Sequence, residues 1–327
     1  MTDRPIFSVI TPTYNRERKV CSAVESLMRQ TLVDFEQIVA DDGSTDGTQS
    51  LLSRTFPDEI ASGRLKLLAL KHGGVCAARN AALSVARGEW IAYLDSDNIV
   101  TPDFLQTFAD GIAANPDARN FYAALVRRKA RTILDRPFDR RRLVRGNYID
   151  IGVYCHHRDL IGEFGLFDGD VAGLEDWDLI ARHTRKYMPV RLGKVVLAYN
   201  DGLSNDRLSL DYGTKAVSYE NFRNKHDPDT CASEADLEII RNSWFFDSEW
   251  YKAQYGKLIG GRDPAMHYLV RGWKNDLHPG PQFDGIQYLA RNPDVAQLYT
   301  NPLLHYERSG RKEGRIGFLR TKPLSPQ

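Results

Sequence analysis

Paired cysteines, long apolar runs, a glycine-rich phosphate loop and a surplus of either charge are all missing from these 327 residues. Four cysteines, Cys21, Cys76, Cys155 and Cys231, are scattered without metal-ligand or redox-motif spacing, which fits a reducing compartment. No stretch stays apolar for long enough to cross a bilayer. The polar segment Met1 to Pro5 leads straight into a strand and carries no secretory signal. A cytoplasmic protein is expected. Lys plus Arg number 44 and Asp plus Glu 43, a net charge of +1. A nucleic-acid partner would call for a basic face, so none is expected. Two local basic clusters remain, Arg127-Arg128-Lys129 with Arg131, and Arg140-Arg141-Arg142 with Arg145. They read first as solvated faces, and second as a peripheral contact at the inner membrane surface or with a phosphorylated acceptor.

What is present is an alternation of strand and helix patterns. Phe7 to Ile10 is a short apolar run suited to a buried strand, followed by the turn-like Thr11-Pro12-Thr13-Tyr14-Asn15. Val20, Ala23, Val24, Leu27 and Met28 recur with helical spacing, which predicts an amphipathic helix over 17–30. Phe35 to Ala40 predicts a second strand. It stops at Asp41-Asp42-Gly43-Ser44, where Ser44 or Thr45 could cap the next helix. Leu65 to Leu70 predicts a third strand, and Gly73-Gly74 opens a helix over 75–86. Trp90 to Leu94 predicts a fourth strand, ending at Asp95-Ser96-Asp97, before a helix starting at Thr101-Pro102. Such alternation favours a mostly parallel sheet covered by helices. Ligands of these sheets bind beyond the carboxyl ends of the strands. Three polar clusters fall at those ends: 11–15, 41–46 and 95–97.

The clusters carry chemistry. Asp95-Ser96-Asp97 places two acids one residue apart, and Mg²⁺ or Mn²⁺ is commonly held by one or two carboxylates plus substrate phosphates. Taken alone, the triplet reads as a solvated turn. In Asp41-Asp42-Gly43-Ser44-Thr45-Asp46, an acid can accept from the imide N–H of a base, and the following helix N-terminus suits phosphate; the plain alternative is a capped turn. Arg79, among the small residues of Ala77-Ala78-Arg79-Asn80-Ala81-Ala82, could reach a diphosphate or be an exposed helix arginine. Tyr14 could stack on a base or simply pack. Glu175-Asp176-Trp177-Asp178 opens a helix; its acids favour a helix N-terminus, and Asp176 could also take a proton from an attacking hydroxyl.

As an ordered set, these elements resemble the family 2 glycosyltransferases, which have the GT-A fold. The matching residues are Val9 to Asn15, Asp41 to Asp46, Ala78-Arg79-Asn80, Asp95-Ser96-Asp97 and Glu175-Asp176, within a stretch from Ile6 to Asp206. The resemblance implies a nucleotide-sugar donor, in the first instance UDP-linked, with Thr11, Pro12, Tyr14, Asp41, Asp42, Arg79, Asp95 and Ser96 at the donor. Asp41 and Tyr14 would attend the base and Asp95 the ribose. Asp97 would hold a divalent cation, Mn²⁺ or Mg²⁺, and Asp176, beside Glu175, would be the base of a single inverting displacement. Phe164-Gly165-Leu166-Phe167-Asp168 is similar to the acceptor-side segment. The acceptor would be a glycan, lipid-linked or protein hydroxyl. Asn98 stands where many members have a further Asp. Asn200 or Asp201, in Tyr199-Asn200-Asp201-Gly202-Leu203-Ser204, stands where many carry a His near the metal.

The C-terminal part repeats itself. Phe246-Asp247 recurs as Phe283-Asp284, Tyr251 as Tyr288, Asp263-Pro264 as Asn301-Pro302, His267-Tyr268 as His305-Tyr306, and Gly272 as Gly310. Each unit has an Asp or Asn N-cap, Pro at the first helical position and Gly where a C-cap belongs. The repeats resemble modules appended to some bacterial polysaccharide-assembly proteins. They predict a small helical module whose many aromatics, Tyr299 among them, pack between units, on the catalytic domain or on a partner, including an oligomer. His267 and His305 read as structural. The organisation is a catalytic domain over 1–215, a linker or packing helix over 216–241, and a repeat module over 242–327 with units at about 244–280 and 281–315. Two competing readings are a sugar nucleotidyltransferase and a catalytically silent scaffold for glycan assembly. The first wants a glycine-rich loop that Thr11 to Asn15 lacks; the second leaves Asp97 and Asp176 without a purpose.

Overall fold

The computed structural model describes residues 4–200, 218, 221–222, 225–226, 234–261, 263–297 and 300–317. Asp201 to Ser204 and Tyr299 lie outside them. The chain divides into two compact units, one of residues up to 138 and 145–219, the other of 139–144 and 220 onward.

The first unit is α/β. Its strands and helices are β1 (Phe7–Thr13), α1 (Glu17–Met28), β2 (Phe35–Asp41), α2 (Thr48–Thr55), α3 (Pro57–Ala61), β3 (Leu65–Ala69), α4 (Val75–Val85), β4 (Trp90–Tyr93), β5 (Ile99–Val100), α5 (Phe104–Ala114), β6 (Asn120–Arg127) and β7 (Thr132–Leu134). After the helix α6 (Arg140–Arg145), most of which is counted with the second unit, come β8 (Tyr154–His157), α7 (Asp159–Phe164), α8 (Glu175–His183) and β9 (Val190–Tyr199). Among the described residues the strands form one sheet ordered β3-β2-β1-β4-β8-β6-β9-β5, with β7 on β6. The four strands β3, β2, β1 and β4 run parallel. Beyond them β8 is antiparallel to both β4 and β6, while β6 and β9 run parallel.

Every residue of β1 and β2 is buried, as in a sheet covered on both faces, and their polar side chains pair across the strands, Ser8 donating to Glu36 and Gln37 to Thr11. On one side, α1 buries Val20, Ala23, Val24 and Leu27. Ala78 and Ala82 are buried on α4, and their small side chains let that helix settle on β1 and β2. Phe7, Phe104, Phe108 and Phe121 fill the middle of the core, all fully buried. Since Thr13 pairs with Asp41 and Ile10 with Tyr93 in parallel register, β1, β2 and β4 deliver their carboxyl ends to one edge.

Two local expectations change. β1 continues through Thr11, Pro12 and Thr13, so Thr11 and Pro12 are buried strand residues rather than turn. Ser44 and Thr45 do not cap α2, which starts at Thr48. Ser44 instead donates its backbone N–H and hydroxyl to Asp41, closing a tighter turn, and Asp46 accepts from the Thr48 N–H at 3.0 Å.

The second unit is helical. Its helices include α9 (Glu234–Asn242), α10 (Ser248–Ile259), α11 (Pro264–His267), α12 (Gly285–Arg291), α13 (Pro293–Gln297) and α14 (Pro302–His305). Leu237, Ile240, Tyr251, Tyr268, Trp273, Phe283, Tyr288 and Leu303 share one core, with Phe245 lying 5.3 Å from Phe283 and 5.5 Å from Tyr306 between ring centres. The repeated residues make repeated bonds. Asp247 accepts from Trp250 N–H as Asp284 does from Gln287 N–H. Asp263 and Asn301 accept from the first turns of α11 and α14, each with Pro at the start. The Tyr251 hydroxyl lies 3.0 Å from His267 Nδ1, and Tyr288 2.9 Å from His305 Nδ1. The glycines differ from expectation. Gly272 is helical, not a C-cap, and is required because a Cβ there would meet the Tyr251 hydroxyl at 2.1 Å. Gly310 meets Tyr288 in the same way, at 2.3 Å. Among the described residues no helix is long and apolar enough to cross a membrane.

Candidate active site

Arg79 is the centre of the strand-end cluster. It projects from the first half of α4 and is 3% exposed, the opposite of an exposed helix arginine. One arm of its guanidinium donates to Asp176 at the start of α8 and lies 3.7 Å from Glu175. The other arm donates to Asp95 at 3.1 Å. The guanidinium also lies 5.1 Å from the centre of the Phe167 ring. Burial works against the charge, but Asp176, Asp95 and Glu175 outweigh it and hold Arg79 above its ordinary range. A planar fork with several donors is the side chain suited to bridging carboxylates in this way.

The carboxylates share one field. Burial pushes the Asp176 carboxyl up to about 8; Arg79 opposes this, and Asp95, Glu175 and Asp150 reinforce it. Asp150 is pushed up to about 7 by burial and by Asp95, against a bond from the Gly152 N–H at 2.9 Å. Asp150 belongs to the site and has no sequence signature: it caps a single 3₁₀ turn before β8, and only folding brings it to the other acids.

Asp97 faces a different cation. It accepts from Arg16, at the N-cap of α1, at 2.6 Å. Ser96 between the two acids is buried. Asn98 is also buried, and its side-chain oxygen accepts from the Asn200 N–H at 2.9 Å, tying the loop to the end of β9.

The cluster expected on the base side is a separate knot. Asp41 is buried and accepts from Ser44 and, at 2.6 Å, from Gln49. Asp42 is buried and accepts from the N–H groups of Gly73 and Gly74 at 2.8 and 2.9 Å, with His72 Nδ1 at 2.9 Å. A carboxylate offers about four acceptor positions, so these acids first hold their own loops. Tyr14 stacks on His72 with ring centres 4.4 Å apart, and both rings reach solvent. Asn15, with φ of 49°, accepts from the Thr45 N–H at 2.8 Å and links the first loop to the second. Thr11 is buried and accepts from the Gln37 amide on the neighbouring strand at 2.9 Å.

The segment before α8 is clamped. Asn80 donates to the Phe167 carbonyl at 2.9 Å and accepts from the Phe167 N–H at 3.0 Å. Arg182, paired with buried Asp178, donates to the carbonyls of Phe164, Gly165 and Leu166. Behind the site the buried Tyr93 hydroxyl meets His156 at 2.9 Å, and burial holds His156 down at about 4.

The donor set around the triplet is oxygen only, the chemistry of a hard cation such as Mn²⁺ or Mg²⁺. Among the described residues no group of three or more His, Cys, Asp or Glu could hold a metal by itself. A cation completed by diphosphate oxygens needs only one or two carboxylates, so the expected ligand Asp97, with Asp95 on the same loop, fits such an ion.

Geometry therefore brings together Arg79, Asp95, Glu175 and Asp176, with Asp97 on the same loop. Tyr14, Asp41 and Asp42 form a neighbouring cluster on the same edge. Arg16, His72 and Asp150 join them unannounced; for His72, only its place beside Gly73-Gly74 hinted at it.

A family model described as Glycosyl transferase family 2 matches residues 8–167. The PGL/p-HBAD biosynthesis glycosyltransferase of Mycobacterium bovis is 30% identical over 210 residues, 62% of this chain and 80% of the relative. Among solved structures, S. aureus TarS 1–349 in complex with UDP-GlcNAc superposes with a TM-score of 0.55 at 17% identity, covering 95% of this chain and 92% of TarS. Mannosyltransferase PcManGT from Pyrobaculum calidifontis, in complex with GDP-Man and Mn²⁺, superposes with a TM-score of 0.50 at 20% identity, covering 83% and 72%. At these identities the likeness shows the fold, which is of GT-A type.

Proposed function

The chain belongs to glycosyl transferase family 2, and from that premise we propose that it moves a sugar from a nucleotide-linked donor to a hydroxyl with inversion, Asp176 acting as base. The carrying observation is the Arg79 fork. It joins the Asp95 loop to the acid pair of α8, its own bond to Asp176 spanning 97 positions of sequence. In this reading the fork holds Asp176 beside the loop that faces the donor.

In the proposed reaction an acceptor oxygen attacks the anomeric carbon, the bond from that carbon to the diphosphate oxygen breaks, and the acceptor proton passes to Asp176. A carboxylate displaced upward toward neutrality is a better proton acceptor than an ordinary one, and a positioned base contributes about 10²–10⁴-fold. Arg79 orients Asp176 and, with Asp95, sets where the donor lies. Tyr14 and Asp41 border the base, Asp42 holds the glycine turn before α4, and Asp97 would carry a divalent cation. When bound, that cation would neutralise charge on the leaving diphosphate. The UDP-GlcNAc and GDP-Man complexes of the structural neighbours support a nucleotide-sugar donor, and the Mn²⁺ of one supports the cation. UDP-linked donors are the first choice. A glycan, lipid-linked or protein hydroxyl is the acceptor class, and the helical repeats are assigned to the acceptor side or to assembly.

The test is a thermal-shift screen of nucleotide sugars with Mn²⁺ or EDTA, then NMR of the product formed from the best donor. The product should carry the opposite anomeric configuration to the donor. Asp97→Ala should lose the Mn²⁺-dependent part of the shift while staying folded. Retention of configuration, or no stabilisation by any nucleotide sugar, would overturn the proposal.

A further inference from the structure

The ion pair between Arg16 and Asp97 has a consequence for how the site is loaded. At 2.6 Å the guanidinium occupies one face of the Asp97 carboxylate, and the two side chains are equally shielded, each 17% exposed. Arg16 is at the N-cap of α1, and its side chain makes no capping bond there. Its neighbours in the chain are Tyr14 and Asn15, which belong to the base-side knot. Arg16 thus stands at the seam between the nucleoside cluster and the acid triplet, where a diphosphate linking the two would run.

Resting on the donor-site reading above, we propose that Arg16 is an exchangeable counter-cation: it neutralises Asp97 in the unloaded site and passes to the donor diphosphate when a divalent cation claims that carboxylate. Arg79 cannot do this, because it is buried and held by three acids at once. Asp97 acts with Asp95 on the buried Asp150, and Arg16 is the cation paired with it in the unloaded site. Once released, its fork matches a phosphate as well as it matched the carboxylate. The exchange also makes cation and nucleotide binding cooperative: each favours the state in which Arg16 has left Asp97.

The experiment is isothermal titration of the full chain with three probes: Mn²⁺ alone, UDP at saturating Mn²⁺, and uridine. Arg16→Gln removes the charge without shortening the side chain greatly, and circular dichroism confirms its fold. Mn²⁺ alone should bind about tenfold tighter in Arg16→Gln, since its competitor is gone. UDP at saturating Mn²⁺ should bind about tenfold or more weakly, the usual loss for a charge-assisted bond. Uridine should be unchanged, and Arg16→Lys should recover part of the UDP affinity. Unchanged Mn²⁺ and UDP affinities in Arg16→Gln, with a Mn²⁺-dependent wild type, would overturn the exchange while sparing the donor reading. Parallel loss for all three probes would also overturn it, marking Arg16 as a structural support. A wild type that binds neither UDP nor Mn²⁺ would overturn the donor reading and this inference with it.

Discussion

The Arg79 guanidinium and the Asp176 carboxylate share a hydrogen bond that ties α4 to α8 across the mouth of the sheet. Removing its cation strands Asp95, Glu175 and Asp176 together. Arg79→Met should destabilise the first unit by roughly 3–5 kcal/mol, the usual cost of breaking a buried charged pair from one side. Arg79→Lys keeps the charge but not the fork, and should fall between. Urea denaturation of the three proteins measures this, and a midpoint for Arg79→Met matching wild type would refute it.

Asp176→Asn should reduce transfer by about 10²–10⁴-fold and leave donor affinity nearly unchanged. In wild type, kcat/KM should rise with pH as Asp176 loses its proton, with the limb near 8. Stability should move the other way. Asp150 and Asp176 titrate above the ordinary carboxylate range of about 4, so between pH 4 and 8 the folded state binds more protons than the unfolded state. Raising the pH through that window therefore costs stability, and Asp176→Asn should flatten the decline. A pH-stability curve of the variant that tracks wild type would contradict this.

The buried His156 gives the opposite slope at lower pH. It is neutral in the folded state down to about 4, whereas in the unfolded chain it protonates near 6.5. Stability is then lost as pH falls from 6.5 toward 4. His156→Gln should be less stable at pH 7, having lost its bond with Tyr93, but should lose less on acidification. Denaturation midpoints at pH 7, 5.5 and 4.5 decide the matter; an equal acid loss in both proteins would sink the idea.

In the second unit, Gly272→Ala offers a reversal of the usual rule. Alanine ordinarily favours a helix over glycine by about 1 kcal/mol. Here its Cβ would lie 2.1 Å from the Tyr251 hydroxyl, so overpacking should cost about 1–3 kcal/mol instead. Tyr251→Phe removes the offending oxygen and should relieve much of that loss. A double-mutant cycle would show a coupling of opposite sign to the single effects, and strict additivity would count against the contact.

The strand-end acids were legible in the sequence because they directly follow segments with strand patterns: Asp41 after Phe35 to Ala40, and Asp95 after Trp90 to Leu94. Arg79 stood out as the one charge among small residues. The partners were not legible. Nothing in the spacing of Arg16 and Asp97, 81 positions apart, announces an ion pair, and Asp150 lies outside any periodic element. The repeat was visible as matched residues, yet the reason for its glycines was not. A helix C-cap and a close approach by a tyrosine both demand glycine, and only the path of the chain separates them.

Asn80 pairs with both the N–H and the carbonyl of Phe167, and it follows Arg79 immediately on α4. An amide side chain used in this way behaves like one residue of an extra strand, fixing the orientation of the peptide it holds as well as its distance. The loop leading to Asp176 and the cation that orients Asp176 are thus mounted on consecutive residues of one helix. Any slide or roll of α4 carries the clasp and the cation together, so the loop and Asp176 keep their alignment through such a movement.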